Sequence, residues 1–193
     1  MSIKPIIIVA GEPNSIFLEI FFKSLKLKKF SSPLVLIASH NLLILQMEKL
    51  GYKKKIKLLN SKNLNFYKLN NKCINLIDVN YNSKKPFEKI SSKSNQYIEK
   101  SFSIAFNIMK EGVTDKFING PISKKYFLKN KYPGMTEFIS EKFSIKNNAM
   151  LIYNKKLSVS PVTTHLPIKE VSNKINKKVI LKKIFLINDF YKN

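Results

Sequence analysis

His165 is one of only two histidines among 193 residues. Its setting, Val162-Thr163-Thr164-His165-Leu166-Pro167, is the segment best suited to chemistry. Imidazole is the commonest neutral metal ligand and titrates near neutral pH. Here it follows a strand-like run and two threonines whose hydroxyls could orient it. A lone histidine is more often structural than ligating, and a metal centre needs three or more ligands. The other histidine, His40, opens a helical pattern and reads as surface or cap-proximal, so the chain cannot supply a three-histidine site by itself. Thr136 stands at a helix start with Glu137 beside it. Backbone N–H groups and a hydroxyl in that position make a ready anion site, apt for a phosphate, although an ordinary N-cap has the same features. Lys124 follows Gly120-Pro121 and could neutralise the same phosphate, while most lysines are solvated surface charges.

Three of the five glycines lie in segments placed at strand ends. The first segment is Gly11-Glu12-Pro13-Asn14-Ser15. The second is Asn119-Gly120-Pro121-Ile122-Ser123-Lys124, continued by Pro133-Gly134-Met135-Thr136-Glu137-Phe138. Ligands of open α/β sheets bind at the carboxyl ends of strands. A glycine there permits close backbone approach to a ligand, or is simply a turn. The Gly-x-Gly-x-x-Gly fingerprint and the P-loop are both absent.

The elements that must position these groups follow from periodicity. Short β-branched or apolar runs predict strands at 4–10, 34–38, 56–59, 74–79 and 116–118. Helices are expected from Asn14 or Ser15 to about 27, over 41–50 with Gly51 at C′, and from Ser94 or Asn95 to Gly112. In the last of these, Ile98, Phe102, Ala105 and Met109 share a face. Two short helices are expected at 124–128 and 137–143, and two more patterns at 167–175 and 179–190. Runs 149–153 and 157–163 read as a hairpin whose second strand, holding Pro161, belongs at an edge or needs a bulge. Strands alternating with helices predict a layered α/β/α fold with a largely parallel sheet. No repeat or Pro/Ser-rich linker marks a boundary, so 1–193 reads as a single α/β region.

Composition narrows the partners. Apolar residues make up 44% and charged residues 24%, as in a globular protein with a real core. The net charge is +23, which suggests a polyanionic partner. All 35 basic residues are lysines, however, and a nucleic-acid reader without arginine is improbable. Lys, Asn, Ile, Phe and Tyr all have A/T-rich codons, so a nucleotide-biased genome explains the surplus better than a functional basic face. A non-catalytic Lys-rich module for nucleic acid or an anionic surface is the alternative. One cysteine, Cys73, excludes an intramolecular disulfide, and no apolar run approaches a membrane span. The chain reads as cytoplasmic.

Four segments in order carry a resemblance: Ile7-Ile8-Val9-Ala10-Gly11-Glu12-Pro13, Ile118-Asn119-Gly120-Pro121-Ile122-Ser123-Lys124, Gly134-Met135-Thr136-Glu137-Phe138 and Val162-Thr163-Thr164-His165-Leu166-Pro167. Together they are similar to the 4-hydroxythreonine-4-phosphate dehydrogenase family of pyridoxal 5′-phosphate biosynthesis. The resemblance implies a truncated isocitrate/isopropylmalate-dehydrogenase-like fold, with the family's C-terminal portion absent, and a homodimer. It implies NAD-dependent oxidation and decarboxylation of 4-phosphooxy-L-threonine with a divalent cation (Zn, Co or Mg). His165 would be the first of three metal-binding histidines, and Thr136 would contact the substrate phosphate. Met135 stands where the family has a histidine, and Ser15-Ile16-Phe17-Leu18 where it has Gly-Ile-Gly-Pro. The other two metal histidines and most of the NAD pocket would lie in the missing portion.

Overall fold

The computed structural model describes residues 3–128 and 131–192. The chain packs as two compact units, Met1–Lys129 and Asn130–Asn193.

The first unit is built on β1 (Ile6–Val9), β2 (Leu34–Ala38), β3 (Ile56–Leu58), β4 (Ile74–Asp78) and β5 (Phe117–Asn119), ordered β3-β4-β2-β1-β5. Every pairing is parallel. Central β2 is buried along its whole length, which is why it reads as an unbroken apolar run rather than an alternating one. Helices α1 (Phe17–Leu27) and α2 (His40–Lys49) cover one face. There Leu18, Phe21, Phe22, Leu43 and Met47 pack on Ile8, Leu36 and Leu76. Helix α3 (Asn95–Lys110) packs on β1 and β2, completing three layers. Its buried stripe holds Ile98, Phe102 and Ala105 as expected, but ends on Ile108 rather than Met109.

Element boundaries follow the local chemistry. Ser39 caps α2 by accepting the Leu42 N–H at 3.4 Å, and Gly51 takes the left-handed conformation at φ +61° just past its end. The start of α1 differs from expectation. Ser15 Oγ accepts the Phe17 N–H at 3.3 Å, but the helix opens beyond both candidate caps. Asn14 instead holds the loop before α3, donating to the Tyr81 hydroxyl at 3.3 Å and accepting from the Glu88 N–H at 3.0 Å. Buried Gln46 fastens the same loop, donating to the carbonyls of Pro13 and Pro86 at 3.1 and 2.7 Å.

At the carboxyl edge the turns after β1 and β5 are fused backbone to backbone. The Gly120 N–H donates to Val9 at 2.7 Å and the Glu12 N–H to Pro121 at 2.8 Å. A side chain at Gly11 would strike the Pro121 carbonyl oxygen, and one at Gly120 the Ala10 carbonyl oxygen and the Phe17 ring. Gly11 also sits at φ +74°. These glycines let two turns of the chain approach each other.

The second unit holds α4 (Met135–Lys142), α5 (Ile168–Lys174) and α6 (Lys177–Lys192). The predicted hairpin is reduced to a single antiparallel bridge, Ile152 with Val159. Proline 161, two residues further, cannot donate to a ladder. Among the described residues no helix is long and apolar enough to cross a membrane.

Gly120→Ala is expected to lower stability by on the order of 3 kcal/mol, because neighbouring backbone cannot move aside. Urea unfolding followed by circular dichroism checks this; a midpoint equal to wild type would contradict the fused-turn geometry.

Candidate functional site

Two places carry the candidate residues, one in each unit. In the first, Glu12 closes the fused turn and is buried at 2% exposure. Its Oε2 accepts the Ser94 hydroxyl at 2.8 Å and its Oε1 the Asn14 N–H at 3.4 Å. Tyr97 lies buried in the same edge. Burial pushes its phenol well above the ordinary 10.0, and the charges of Asp78 and Glu12 act in the same direction. This edge is filled by its own side chains. His40 is the first residue of α2, and its N–H donates to Asp78 Oδ1 at 2.7 Å. That is the cap-proximal place expected of it. Lys124 is exposed on the helical turn Lys124–Leu128, whose Tyr126 N–H donates to Ser123 Oγ at 3.3 Å.

In the second unit the residues converge at the start of α4. Gly134 is the extended N-cap residue (φ −163°, ψ −176°) and offers no side chain to cap the helix. The first backbone bond of the helix runs from the Phe138 N–H to the Gly134 carbonyl at 3.3 Å. The N–H groups of Met135, Thr136 and Glu137 therefore lie ahead of the regular ladder, which is what an anion needs. Tyr132 braces the helix from outside, stacking edge-on to Phe138 at 5.4 Å and donating its hydroxyl to Glu141.

The His165 ring lies against this helix start. Its Nε2 is 3.1 Å, and its Cδ2 3.8 Å, from the point a Cβ on Gly134 would occupy. Glu137 Oε2 is 3.0 Å from the same point. His165 adopts φ +56°, a left-handed backbone uncommon outside glycine. Such conformations persist where surrounding structure enforces them, and they concentrate at functional sites. The residue remains exposed, whereas Glu137 Oε2 is enclosed and has no hydrogen-bond partner among the described residues.

The structure thus brings His165 and the Thr136 helix start together. Lys124 belongs to the first unit. Glu137 is the member that sequence reasoning passed over, having noted it only as a neighbour of Thr136. The available signal was a carboxylate three residues after a glycine N-cap, in a chain with only 12 acidic residues.

An imidazole nitrogen and a partnerless carboxylate oxygen both lie against Gly134, and each is of a type that binds divalent cations. Two such donors do not complete a site, and no group of three His, Cys, Asp or Glu gathers among the described residues.

Comparison with known proteins gives one consistent result. The family model described as pyridoxal phosphate biosynthetic protein PdxA matches residues 29–193. The 4-hydroxythreonine-4-phosphate dehydrogenase of Sulfurihydrogenibium sp. is 32% identical over 188 residues, covering 96% of this chain and 57% of that protein. The Aquifex aeolicus protein of the same name is 32% identical over 192 residues, with 95% and 57% coverage. Among solved structures, a putative 4-hydroxythreonine-4-phosphate dehydrogenase from Salmonella typhimurium superposes with a TM-score of 0.83 at 20% identity, covering 98% of this chain and 59% of that one. The Burkholderia phymatum structure gives 0.79 at 22% identity, with 94% and 56% coverage. The fold is therefore the isocitrate/isopropylmalate-dehydrogenase-like α/β fold, and the chain spans a little under three fifths of the curated relatives it matches.

Alkaline unfolding reads the buried edge of the first unit. A phenol whose folded pKa is raised keeps its proton after the unfolded chain has lost it. Stability contributed by its neutral form is thus complete below the ordinary value of 10.0 and declines above it. Thermal midpoints measured between pH 8 and pH 11, a range of about 3 units around that value, should fall above pH 10, and less steeply in Tyr97→Phe. Identical pH slopes in the two proteins would contradict the assignment.

Proposed function

The chain belongs to the family of pyridoxal phosphate biosynthetic protein PdxA, and from that premise we propose that it is the phosphate- and metal-gripping part of an NAD-dependent dehydrogenase acting on 4-phosphooxy-L-threonine. The observation that carries the reading is the closure of His165 over the start of α4, where Thr136 stands. The assembly is proposed to be a cytoplasmic homodimer. No comparison reported above supports a Lys-rich nucleic-acid module.

In this reading the substrate phosphate is held by the free N–H groups at the start of α4 and by the Thr136 hydroxyl. Lys124 is proposed as a phosphate contact from its place in the Gly-Pro-x-x-Lys segment. Holding the phosphate fixes the distance from the α4 start to the carbon that bears the reacting hydroxyl, which converts a loose encounter into an oriented one. His165 would be one ligand of a divalent cation (Zn, Co or Mg). When bound, such a cation would supply Lewis-acid chemistry to a forming carbonyl and to the negative charge that decarboxylation leaves. The overall reaction transfers a hydride from the hydroxyl-bearing carbon to NAD, releases the hydroxyl proton, and then expels CO₂ from the β-keto acid. No residue of this chain is assigned to NAD. Met135 supplies a thioether where the family has an imidazole, so it adds bulk but no donor to the substrate.

The test is turnover. The purified 193-residue chain, given NAD, 4-phosphooxy-L-threonine and zinc, cobalt or magnesium, is expected to form no NADH above background. Activity is expected once a polypeptide carrying the remaining two fifths of a relative such as the Sulfurihydrogenibium protein is supplied. In that assembly His165→Ala should lower kcat/KM by at least about 100-fold, the scale of a lost metal contact. Thr136→Val should raise KM by about 10-fold, the worth of one hydrogen bond to a charged group. Robust NADH formation by the chain alone would refute the incomplete-site reading. Wild-type kinetics in His165→Ala would refute the metal role.

A further inference from the structure

We propose that the second unit is part of a divided core, and that the outer face of α6 together with the 149–153 run is the seat of the remaining two fifths of the family fold. The inference rests on the incomplete-chain reading above and deepens it by naming the surface on which completion occurs.

Three observations carry it. First, the second unit has almost no interior. Among its described residues Phe138 is the one apolar side chain that is fully buried, and α5 and α6 bury none. Apolar burial is the dominant favourable term in folding, and this unit gains little of it alone. Second, α6 has two unlike faces. Val179, Leu186 and Ile187 are half-buried on one. On that side Lys183 donates to the Asn148 carbonyl and Tyr191 to Ser158 Oγ, which ties the helix to the bridged run. The other face leaves Leu181, Ile184 and Phe185 exposed by 39%, 52% and 61%. Side chains at i, i+3 and i+4 adjoin on a helix, so these form one patch rather than scattered surface residues. Third, the runs that α6 leans on make a single bridge, and both of its residues, Ile152 and Val159, are exposed. Two strands alone are marginal in water. Run 149–153 contains no proline, so each of its residues has an N–H to offer a further strand.

Length and charge select the occupant. The Salmonella fold superposes on 98% of this chain, second unit included, with only 59% of its own length. The rest of that fold is a segment of the right size to cover a bare helix face and extend a begun sheet. A second copy fits poorly. Lys177, Lys178 and Lys182 border the groove floored by Leu181 and Phe185, and a two-fold contact sets that lysine border against itself. The completing segment is therefore apolar at the centre of its contact and acidic at the rim.

The test is amide hydrogen exchange read by mass spectrometry on two proteins. One is the 193-residue chain, and the other is that chain joined at its C-terminus to the remaining two fifths of the Sulfurihydrogenibium protein. In the chain alone α6 should exchange far faster than α3. Joining the segment should slow α6 by on the order of 100-fold, as a frayed helix enters a cooperative unit. The double variant Leu181→Asp/Phe185→Asp changes only exposed side chains and should abolish the slowing, whereas Ile20→Asp, on α1 at 52% exposure, should keep it. An α6 as slow as α3 in the chain alone, or unslowed in the joined protein, would overturn the proposal. Slowing in the chain alone that grows with its concentration would assign the face to a second copy, and slowing by anionic phosphatidylglycerol vesicles would assign it to a lipid surface; either result also overturns it. NADH formation by the joined protein separates the seat from the reaction. Slowed α6 without turnover leaves the seat standing and counts against the dehydrogenase reading, and turnover with α6 unslowed does the reverse.

Discussion

The imidazole of His165 lies close against the start of α4, where Gly134 has no side chain to press on it. One methyl group at that position would fall against both the ring nitrogen and the Glu137 carboxylate. The constraint is steric, but its consequence is electrostatic. It leaves an acid, an imidazole, a hydroxyl and three free N–H groups around one helix end. A side chain at position 134 would press on these groups, so their arrangement in the second unit depends on an absent one.

The first unit uses the same device for a different end. Gly11 and Gly120 let the turns after β1 and β5 press backbone against backbone at the edge where α/β proteins usually bind ligands. The space is then closed by Glu12, Ser94 and Tyr97, and the loop before α3 is fastened over it by Asn14 and Gln46. The hydrogen bonds made here by Glu12, Ser94, Asn14 and the Gln46 amide nitrogen resist opening. Such an edge is better suited to holding a scaffold than to admitting a substrate, which is consistent with assigning the substrate grip to the α4 start.

Much of this was legible in the residues. All five strands of the parallel sheet begin or end within two residues of the apolar runs that predicted them, because strands buried on both faces leave a signal that needs no partner to interpret. The helices were readable wherever a cap residue or a terminal glycine marked an end, as at Ser39 and Gly51. Prediction weakened where a side chain had two competing uses. Asn14 is an excellent cap by type, yet its amide is spent on Tyr81 and Glu88, residues distant in sequence. The hairpin shrank to one bridge since alternation over 149–163 says nothing about whether a ladder can continue past Pro161. At the candidate site, His165, Thr136 and Lys124 were chosen by type and position. Glu137 was not, because an unpartnered oxygen is a property of packing and leaves no trace in a string of letters.

The most direct test is a crystal structure of the chain grown with zinc and 4-phosphooxy-L-threonine, with anomalous differences collected at the zinc edge. The account predicts one strong peak about 2.0–2.1 Å from His165 Nε2, the spacing of zinc to an imidazole nitrogen. The substrate phosphate should lie on the Thr136 hydroxyl and the first N–H groups of α4. An α4 start without zinc or phosphate, with the ligand ordered elsewhere on the chain, would contradict it.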